Sequence, residues 1–157
     1  MSKSLAVAQY LLDRCKERHD DAVTPMQLLK LVYIAHGYML GEHGEPLLDE
    51  PIEAWQYGPV VRSVYDAVRA YRSQPVEHIA GARRWSGQFK VHERDVMAEV
   101  AEKYGAVNGV RLSAATHKSG TPWSVTWERN GKNSIISNDL IEDFYDRLLK
   151  KPKHSAL

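Results

Sequence analysis

Hydrophobic residues recur at intervals of three and four along most of this chain, the spacing typical of amphipathic helices. The first such stripe predicts a helix over about residues 4–18, and a second predicts one over residues 26–40. The second helix has a clear start signal, because Thr24 can cap it, Pro25 fits its first position and Gln27 can complete a capping box. Since it is apolar on most of its faces, we expect it to be central and buried.

The next segment changes from helical to alternating spacing. Gly41 and Gly44 are expected to end the central helix. Residues 52–56 then alternate between apolar and polar side chains, which predicts a short strand. Gly58 is expected to break this strand and Pro59 to open a third helix. The apolar stripe of that helix would comprise Val61, Val64, Tyr65, Val68 and Tyr71.

Three more helices are predicted in the second half, at about residues 93–104, 109–118 and from Ser137 onward. Thr121 and Pro122 predict an extended exit from the second of these. A further β element is expected near residues 125–128.

The predicted fold class is mainly α with a small β element (α+β), in a single compact domain with a central buried helix. We expect the domain to cover residues 1–150 and residues 151–157 to form a flexible basic tail. The chain has 157 residues, of which 43% are hydrophobic and 26% charged, which suits one soluble domain. Its formal net charge of +1 gives no global attraction to nucleic acid or membranes. The absence of a signal-peptide pattern and of a long apolar segment predicts a cytoplasmic protein without a membrane partner.

Candidate chemistry is sparse. Cys15 is the single cysteine, so an intrachain disulfide and a cysteine-built zinc site are excluded. His36 and His43 lack the spacing of a dedicated metal site, and no glycine-rich phosphate loop is present. We therefore expect no metal, no cofactor and no catalytic residues.

The stretch LSAATHKSGTPWSVTW (residues 112–127) allows two interpretations. His117 and Trp123 can form a structural pair, in which the imidazole hydrogen-bonds backbone in the turn and the indole closes the core. An enzyme would instead need His117 to activate Ser119 or Thr116, but no nucleophile elbow is present. The structural interpretation is favoured.

Aromatic and basic residues are the most suggestive remaining feature, because Trp, Tyr and Arg often anchor protein interfaces. The candidate partner-binding residues are Trp55, Tyr57, Tyr65, Tyr71, Arg83, Arg84 and Trp85. Direct DNA binding is the alternative, but a helix-turn-helix reading fails because the second helix is too apolar to present a polar face to the major groove. Nucleic acid is therefore not an expected partner.

Four blocks resemble the Panacea domain of the SocA-like (phage-associated, GepA-like) antitoxin family, and most closely its SocA branch. They are TPMQLLKLVYIAHGYML, EPIEAWQYGPVVRSVYDAV, LSAATHKSGTPWSVTW and NSIISNDLIEDFY, in the family's order from about residue 24 to 146. The most specific parts are Trp-Gln-Tyr-Gly-Pro-Val at 55–60 and Thr-His-x-x-Gly-x-Pro-Trp at 116–123.

This resemblance implies a non-enzymatic antitoxin that binds a cognate protein toxin and acts as an adaptor that delivers the toxin to the ClpXP protease. A DNA-binding regulator of its own operon is the alternative function. The family supplies no catalytic residue to carry over. Its motif positions Gly58, Pro59, His117 and Trp123 are expected to be structural signatures.

Overall fold

Seven helices and a three-stranded sheet make up the described part of this computed structural model, which covers residues 2–19 and 22–150. The helices are α1 (Lys3–His19), α2 (Pro25–His43), α3 (Arg62–Val68), α4 (Val91–Tyr104), α5 (Gly109–His117), α6 (Pro122–Asn130) and α7 (Asn138–Lys150). The strands are β1 (Ile52–Trp55), β2 (Gly58–Val60) and β3 (Ser134–Ile136), and 3-10 turns occur at Arg69–Tyr71 and Ala82–Arg84. The predicted mainly-α fold with a small β element is confirmed, whereas the predicted tail at 151–157 lies outside the described residues.

Helix α2 is the centre of the fold, as predicted. Fifteen of its nineteen residues are buried, and it packs against α1, α4, α5 and α7. The predicted start is confirmed: Thr24 and Gln27 form a capping box ahead of Pro25. A helix surrounded in this way needs an apolar surface on every side, which its sequence provides.

Of the two glycines predicted to end α2, Gly44 does so and caps the helix in the left-handed conformation. The prediction for Gly41 is wrong, because the helix continues to His43. The glycines of α2 allow a close approach of α7 instead. A Cβ on Gly37 would overlap the ring of Tyr145, and one on Gly41 would lie 2.9 Å from the backbone carbonyl carbon of Tyr145. The sequence marks a glycine as a helix stop, but here packing decides its role.

Pro59 does not open a helix, contrary to prediction. It lies in β2, which pairs antiparallel with β1 so that Ala54 is opposite Pro59. Strand β2 is at the edge of the sheet, whose order is β2-β1-β3, and an edge strand tolerates a residue without an N–H group. Helix α3 begins at Arg62.

The β element predicted near residues 125–128 is also wrong. Those residues lie in α6, which begins at Pro122 because the Thr121 side chain accepts a hydrogen bond from the Ser124 N–H. Thr121 and Pro122 therefore start a helix and do not form an extended exit. The strand that completes the sheet is β3, which pairs with β1.

His36 is a buried structural histidine. Its Nδ1 accepts a hydrogen bond from the Leu48 N–H (3.2 Å), so the proton lies on Nε2, which donates to Asn138 Oδ1 (2.9 Å). Burial lowers the pKa of this imidazole, which stays neutral as it links α2 to α7.

Candidate functional site

The β1–β2 hairpin turns through Gln56 and Tyr57, with Trp55 opposite Gly58. Tyr57 is 63% exposed at the tip of this turn. Gly58 has a φ of +120°, a conformation that residues with a Cβ rarely adopt. An added Cβ would also lie 3.0 Å from Lys30 Nζ and 3.3 Å from Thr116 Oγ1, so the turn needs glycine here.

Side chains from α5 and α6 hold the backbone of the hairpin. These two helices and the turn between them contain the Thr-His-x-x-Gly-x-Pro-Trp motif at residues 116–123. The indole N–H of Trp123 donates to the backbone carbonyl of Trp55 (2.6 Å), and the Ser113 hydroxyl donates to the carbonyl of Tyr57 (2.6 Å). The hairpin motif at residues 55–60 and the segment at residues 112–123 are far apart in the sequence, but they form one structural unit. Their shared role is to fix the position of the turn.

Lys30 holds a third carbonyl of the same hairpin. Its Nζ donates to the backbone oxygen of Pro59 (3.1 Å), although the residue is only 2% exposed. Burial lowers the pKa of Lys30 to about 7, because removing the ammonium from water disfavours its charged form. Carbonyls 55, 57 and 59 are therefore all held by side chains from helices.

His117 and Trp123 form the predicted structural pair, with ring centroids 5.3 Å apart in an edge-to-face arrangement. The imidazole contacts a side chain, however, since its Nδ1 lies 3.4 Å from the Ser113 hydroxyl. Because the Ser113 proton is donated to the carbonyl of Tyr57, the imidazole is the donor in this pair. A histidine that donates to a serine cannot act as its base, so this geometry supports a structural role.

An open groove lies beside the hairpin, with a volume of about 690 Å³. We call it the hairpin groove. Its aromatic and aliphatic lining is supplied by Pro25, Met26, Leu29, Trp55, Tyr57, Val60, Tyr65, Val68 and Trp127. Its polar lining is supplied by Lys30, Gln56, Arg69, Arg72, Lys132 and Asn133. Trp55, Tyr57 and Tyr65 were predicted partner-binding residues, and the structure brings these three together.

The ring of Trp55 is held on several sides. It packs edge-to-face on Tyr65 with centroids 4.7 Å apart, and the Arg62 guanidinium lies 5.2 Å from its centroid. Its N–H donates to Glu53 (3.0 Å), which is paired in turn with Arg62. The aromatic edge of the groove is therefore fixed in place.

The other predicted partner-binding residues lie elsewhere. Arg83 and Arg84 line a second cavity of about 440 Å³ together with Gln9 and residues 78–81, and no described residue lines both cavities. We call Gly81–Trp85 the arginine turn. Trp85 packs on Phe89 (4.8 Å). Tyr71 is half-buried and donates to the carbonyl of His78 (3.1 Å).

Ser113, which holds the hairpin backbone, was not predicted from the sequence. Neither were several residues that line the groove: Lys30, Arg69, Arg72, Trp127 and Lys132. Lys30 had a usable signal, because it is a lone cation inside the near-continuous apolar run of α2. A charge there must be paired or hydrogen-bonded. The others carry no local signal, since only the folded chain brings them to the hairpin.

Within the described residues, no group of three or more His, Cys, Asp or Glu side chains could hold a metal ion. Burial raises the pKa of the Cys15 thiol to about 11, so this residue packs as a small apolar side chain. None of the described helices is long and apolar enough to cross a membrane.

Comparison with known proteins agrees with the sequence blocks. The family model for antitoxin SocA-like proteins, Panacea domain, matches residues 28–124. The chain is 30% identical over 136 residues to antitoxin SocA of Caulobacter vibrioides (strain NA1000 / CB15N), an alignment that covers 82% of this chain and 72% of that protein. No solved structure shows a significant match. The chain therefore belongs to the SocA-like antitoxin family, defined by its Panacea domain.

Proposed function

We propose that this protein neutralises a cognate toxin in the cytoplasm by binding it directly, with the hairpin groove at the interface. The observation that carries this proposal is the exposed aromatic edge of the groove. Tyr57 is 63% and Met26 37% exposed, although most large apolar side chains of the described chain are buried. Exposed aromatic residues beside arginines are the usual anchors of protein interfaces.

The held backbone of the hairpin supports the same proposal. The turn that presents Tyr57 is fixed by hydrogen bonds from Trp123, Ser113 and Lys30. A surface ordered before binding loses less conformational entropy when the partner docks. Such bonds suit a loop that makes contact, because they position its backbone and leave the Tyr57 side chain exposed.

The adaptor role implied by the resemblance belongs to the same proposal: the protein would hold the toxin and deliver it to ClpXP. An adaptor must contact two proteins at once, so it needs two separate surfaces. The hairpin groove and the arginine turn are two separate surfaces of this kind, each with an aromatic ring and exposed cations. We assign the toxin to the first surface and the protease to the second, where Arg83, Arg84 and Trp85 lie.

The test is co-expression with the product of the neighbouring gene, followed by co-purification and growth assays in cells with and without ClpXP. Trp55→Ala combined with Tyr57→Ala removes the aromatic edge, and Trp85→Ala is the matched control on the other surface. We expect wild type to bind and to protect growth only when ClpXP is present. The groove variant should bind no toxin, whereas Trp85→Ala should bind toxin but protect less.

Each alternative gives a different pattern. Protection that persists without ClpXP would mean neutralisation by occlusion and would remove the adaptor role. If neither binding nor protection occurs with either neighbouring gene product, direct neutralisation fails. Salt-sensitive binding to the promoter of the operon would then identify a regulator, since phosphate contacts release counterions.

A further inference from the structure

The ionisable side chains that line the hairpin groove are all basic. Lys30, Arg69, Arg72 and Lys132 line it, and no Asp or Glu is among its described lining residues. The whole chain has 21 basic and 20 acidic residues, so this separation is local. The nearby carboxylate of Glu53 is already paired with Arg62 at 3.0 Å. Among the described residues, Arg69, Arg72 and Lys132 form no ion pair, so these three side chains give the groove a positive charge above an apolar floor.

Backbone strain is concentrated at the same place. Arg72 (φ +59°) and Asn133 (φ +67°) are the two described non-glycine residues with positive φ, and both line the groove. Such conformations cost about 1–3 kcal/mol each and cluster at functional sites. Arg72 is the more unusual of the two, because asparagine tolerates positive φ better than arginine.

The floor of the groove offers a donor for an acidic group. Within residues 2–19 and 22–150, Lys30 Nζ donates one hydrogen bond, to the Pro59 carbonyl. Whether the nitrogen is an amine or an ammonium, at least one further N–H remains to be donated. Leu29, Val60 and Val68 line the same groove and provide apolar surface. A ligand that suits both features combines a carboxylate with an apolar side chain.

We infer that the hairpin groove binds an acidic, extended segment of the toxin that places a carboxylate among Lys30, Arg69, Arg72 and Lys132 and an apolar side chain on the floor. This inference rests on the proposed function, and it adds the chemistry of the toxin segment. The volume of about 690 Å³ accommodates a few side chains rather than a whole domain.

Two other occupants fit less well. Residues 151–157 contain Lys151 and Lys153 and no Asp or Glu side chain, so their net positive charge disfavours binding in a groove lined by cations. A single-stranded nucleic acid needs free aromatic faces on which its bases can stack. Here the ring of Trp55 is contacted by Tyr65 and Arg62, and that of Trp127 stacks on Trp123. Tyr57 alone is largely exposed among the described rings of the groove, which does not provide for a run of stacked bases.

The test compares two variants with the same change of charge on exposed side chains. Arg72→Glu with Lys132→Glu reverses the groove, and Arg83→Glu with Arg84→Glu reverses the arginine turn. The probes are the intact toxin and fluorescein-labelled peptides of about fifteen residues that tile its sequence. We expect the groove variant to weaken binding by about 10-fold or more and the control by less than about 3-fold. The peptides that bind wild type should be acidic, and their affinity should fall as salt rises.

Three results would overturn the inference while leaving the antitoxin function intact. They are equal binding by both variants and wild type, selection of neutral or basic peptides, and displacement of the toxin by a thymidine oligonucleotide. If wild type neither binds the toxin nor protects growth, the proposed function itself fails. Circular dichroism checks the fold, and Arg69→Glu with Lys132→Glu replaces the groove variant if Arg72→Glu unfolds the chain.

Discussion

The hairpin groove and the arginine turn are built from nearly the same parts. Trp55 packs on Tyr65 with centroids 4.7 Å apart and Trp85 on Phe89 at 4.8 Å. Each indole also faces a cation, from Arg62 at 5.2 Å and from Lys3 at 5.9 Å. In these aromatic and cation–aromatic pairs, therefore, the two surfaces are alike.

They differ in what holds the backbone beneath them. The hairpin carbonyls accept hydrogen bonds from side chains on α2, α5 and α6. The backbone bonds of the arginine turn are local, from the Ala82 N–H to Ile79 and from the Arg84 N–H to Gly81. The hairpin is ordered by side chains that belong to the core helices. Substitution of these side chains should therefore lower both the unfolding free energy and the affinity for the partner. Changes at the turn should affect one partner contact and little else.

The largest effect should come from Trp123→Ala. This side chain is only 8% exposed, stacks on Trp127 at 4.9 Å and donates to the carbonyl of Trp55. Removing a buried aromatic ring costs about 3–5 kcal/mol of unfolding free energy. The matched control Trp85→Ala removes a half-buried ring and should cost about 1 kcal/mol. Urea denaturation measures both, and equal losses would mean that the two surfaces are anchored alike.

The second-largest difference between the two surfaces should appear when one turn glycine on each is replaced by alanine. Gly58→Ala combines a strained φ with a Cβ 3.0 Å from Lys30 Nζ, and we expect a loss of about 3 kcal/mol. Gly81→Ala has a left-handed φ of +86°, but its Cβ would meet Leu5 at an ordinary 3.5 Å, so about 1 kcal/mol is expected. Thermal unfolding provides the measurement. A larger loss for Gly81→Ala would contradict the close approach of Lys30 to the hairpin.

The sequence predicts helices better than it predicts the groove. The periodic stripes and the Thr24 cap define α1, α2, α4 and α7 locally, and the structure confirms all four. The same Thr-Pro signal at Thr121 starts α6. The apolar spacing of this short helix is too weak to indicate a helix, and the segment was therefore predicted to be extended. Pro59 was misassigned because its tolerance in β2 depends on the strand being at the edge of the sheet.

The groove itself depends on contacts between distant segments. Trp55, Tyr57 and Tyr65 carry a compositional signal, since aromatic residues near turns often bind partners. Arg72 and Lys132 do not, because sixty residues of sequence separate them and only the fold brings them to one groove. For the same reason the arginine turn was grouped with the hairpin, although it lines a different cavity.

The buried lysine predicts an unusual pH dependence for the hairpin side. Burial lowers the pKa of Lys30 from its ordinary value of 10.5 to about 7 in the folded protein. Below about pH 7 both the folded and unfolded states are protonated, and the cost of burying the charge is fully present. Between the two pKa values the unfolded state binds more protons, so stability rises with pH. Relative to Lys30→Met, wild type should gain about 2 kcal/mol between pH 7.5 and 9.5.

Chemical denaturation at several pH values within that range measures this difference. Arg84→Met is the control on the arginine turn, because an arginine side chain stays protonated throughout. Its difference from wild type should not change with pH. If the difference in unfolding free energy between wild type and Lys30→Met does not change with pH, the ammonium of Lys30 stays charged in the folded protein. The hairpin and the arginine turn would then both be pH-independent in this range.

The smallest expected effect is that of Ser113→Ala, which removes only the hydroxyl that donates to the carbonyl of Tyr57 (2.6 Å). The loss of unfolding free energy should be about 1 kcal/mol, against less than about 0.5 kcal/mol for Ser86→Ala on the exposed surface after the arginine turn. The effect on dynamics should be clearer, since one of the three bonds that hold the hairpin is gone. Hydrogen exchange at the Tyr57 and Gly58 amides should accelerate in Ser113→Ala and stay unchanged in Ser86→Ala. If the exchange rates of these amides are the same in Ser113→Ala and wild type, the hydrogen bonds from Trp123 and Lys30 are sufficient to keep the hairpin ordered before it binds a partner.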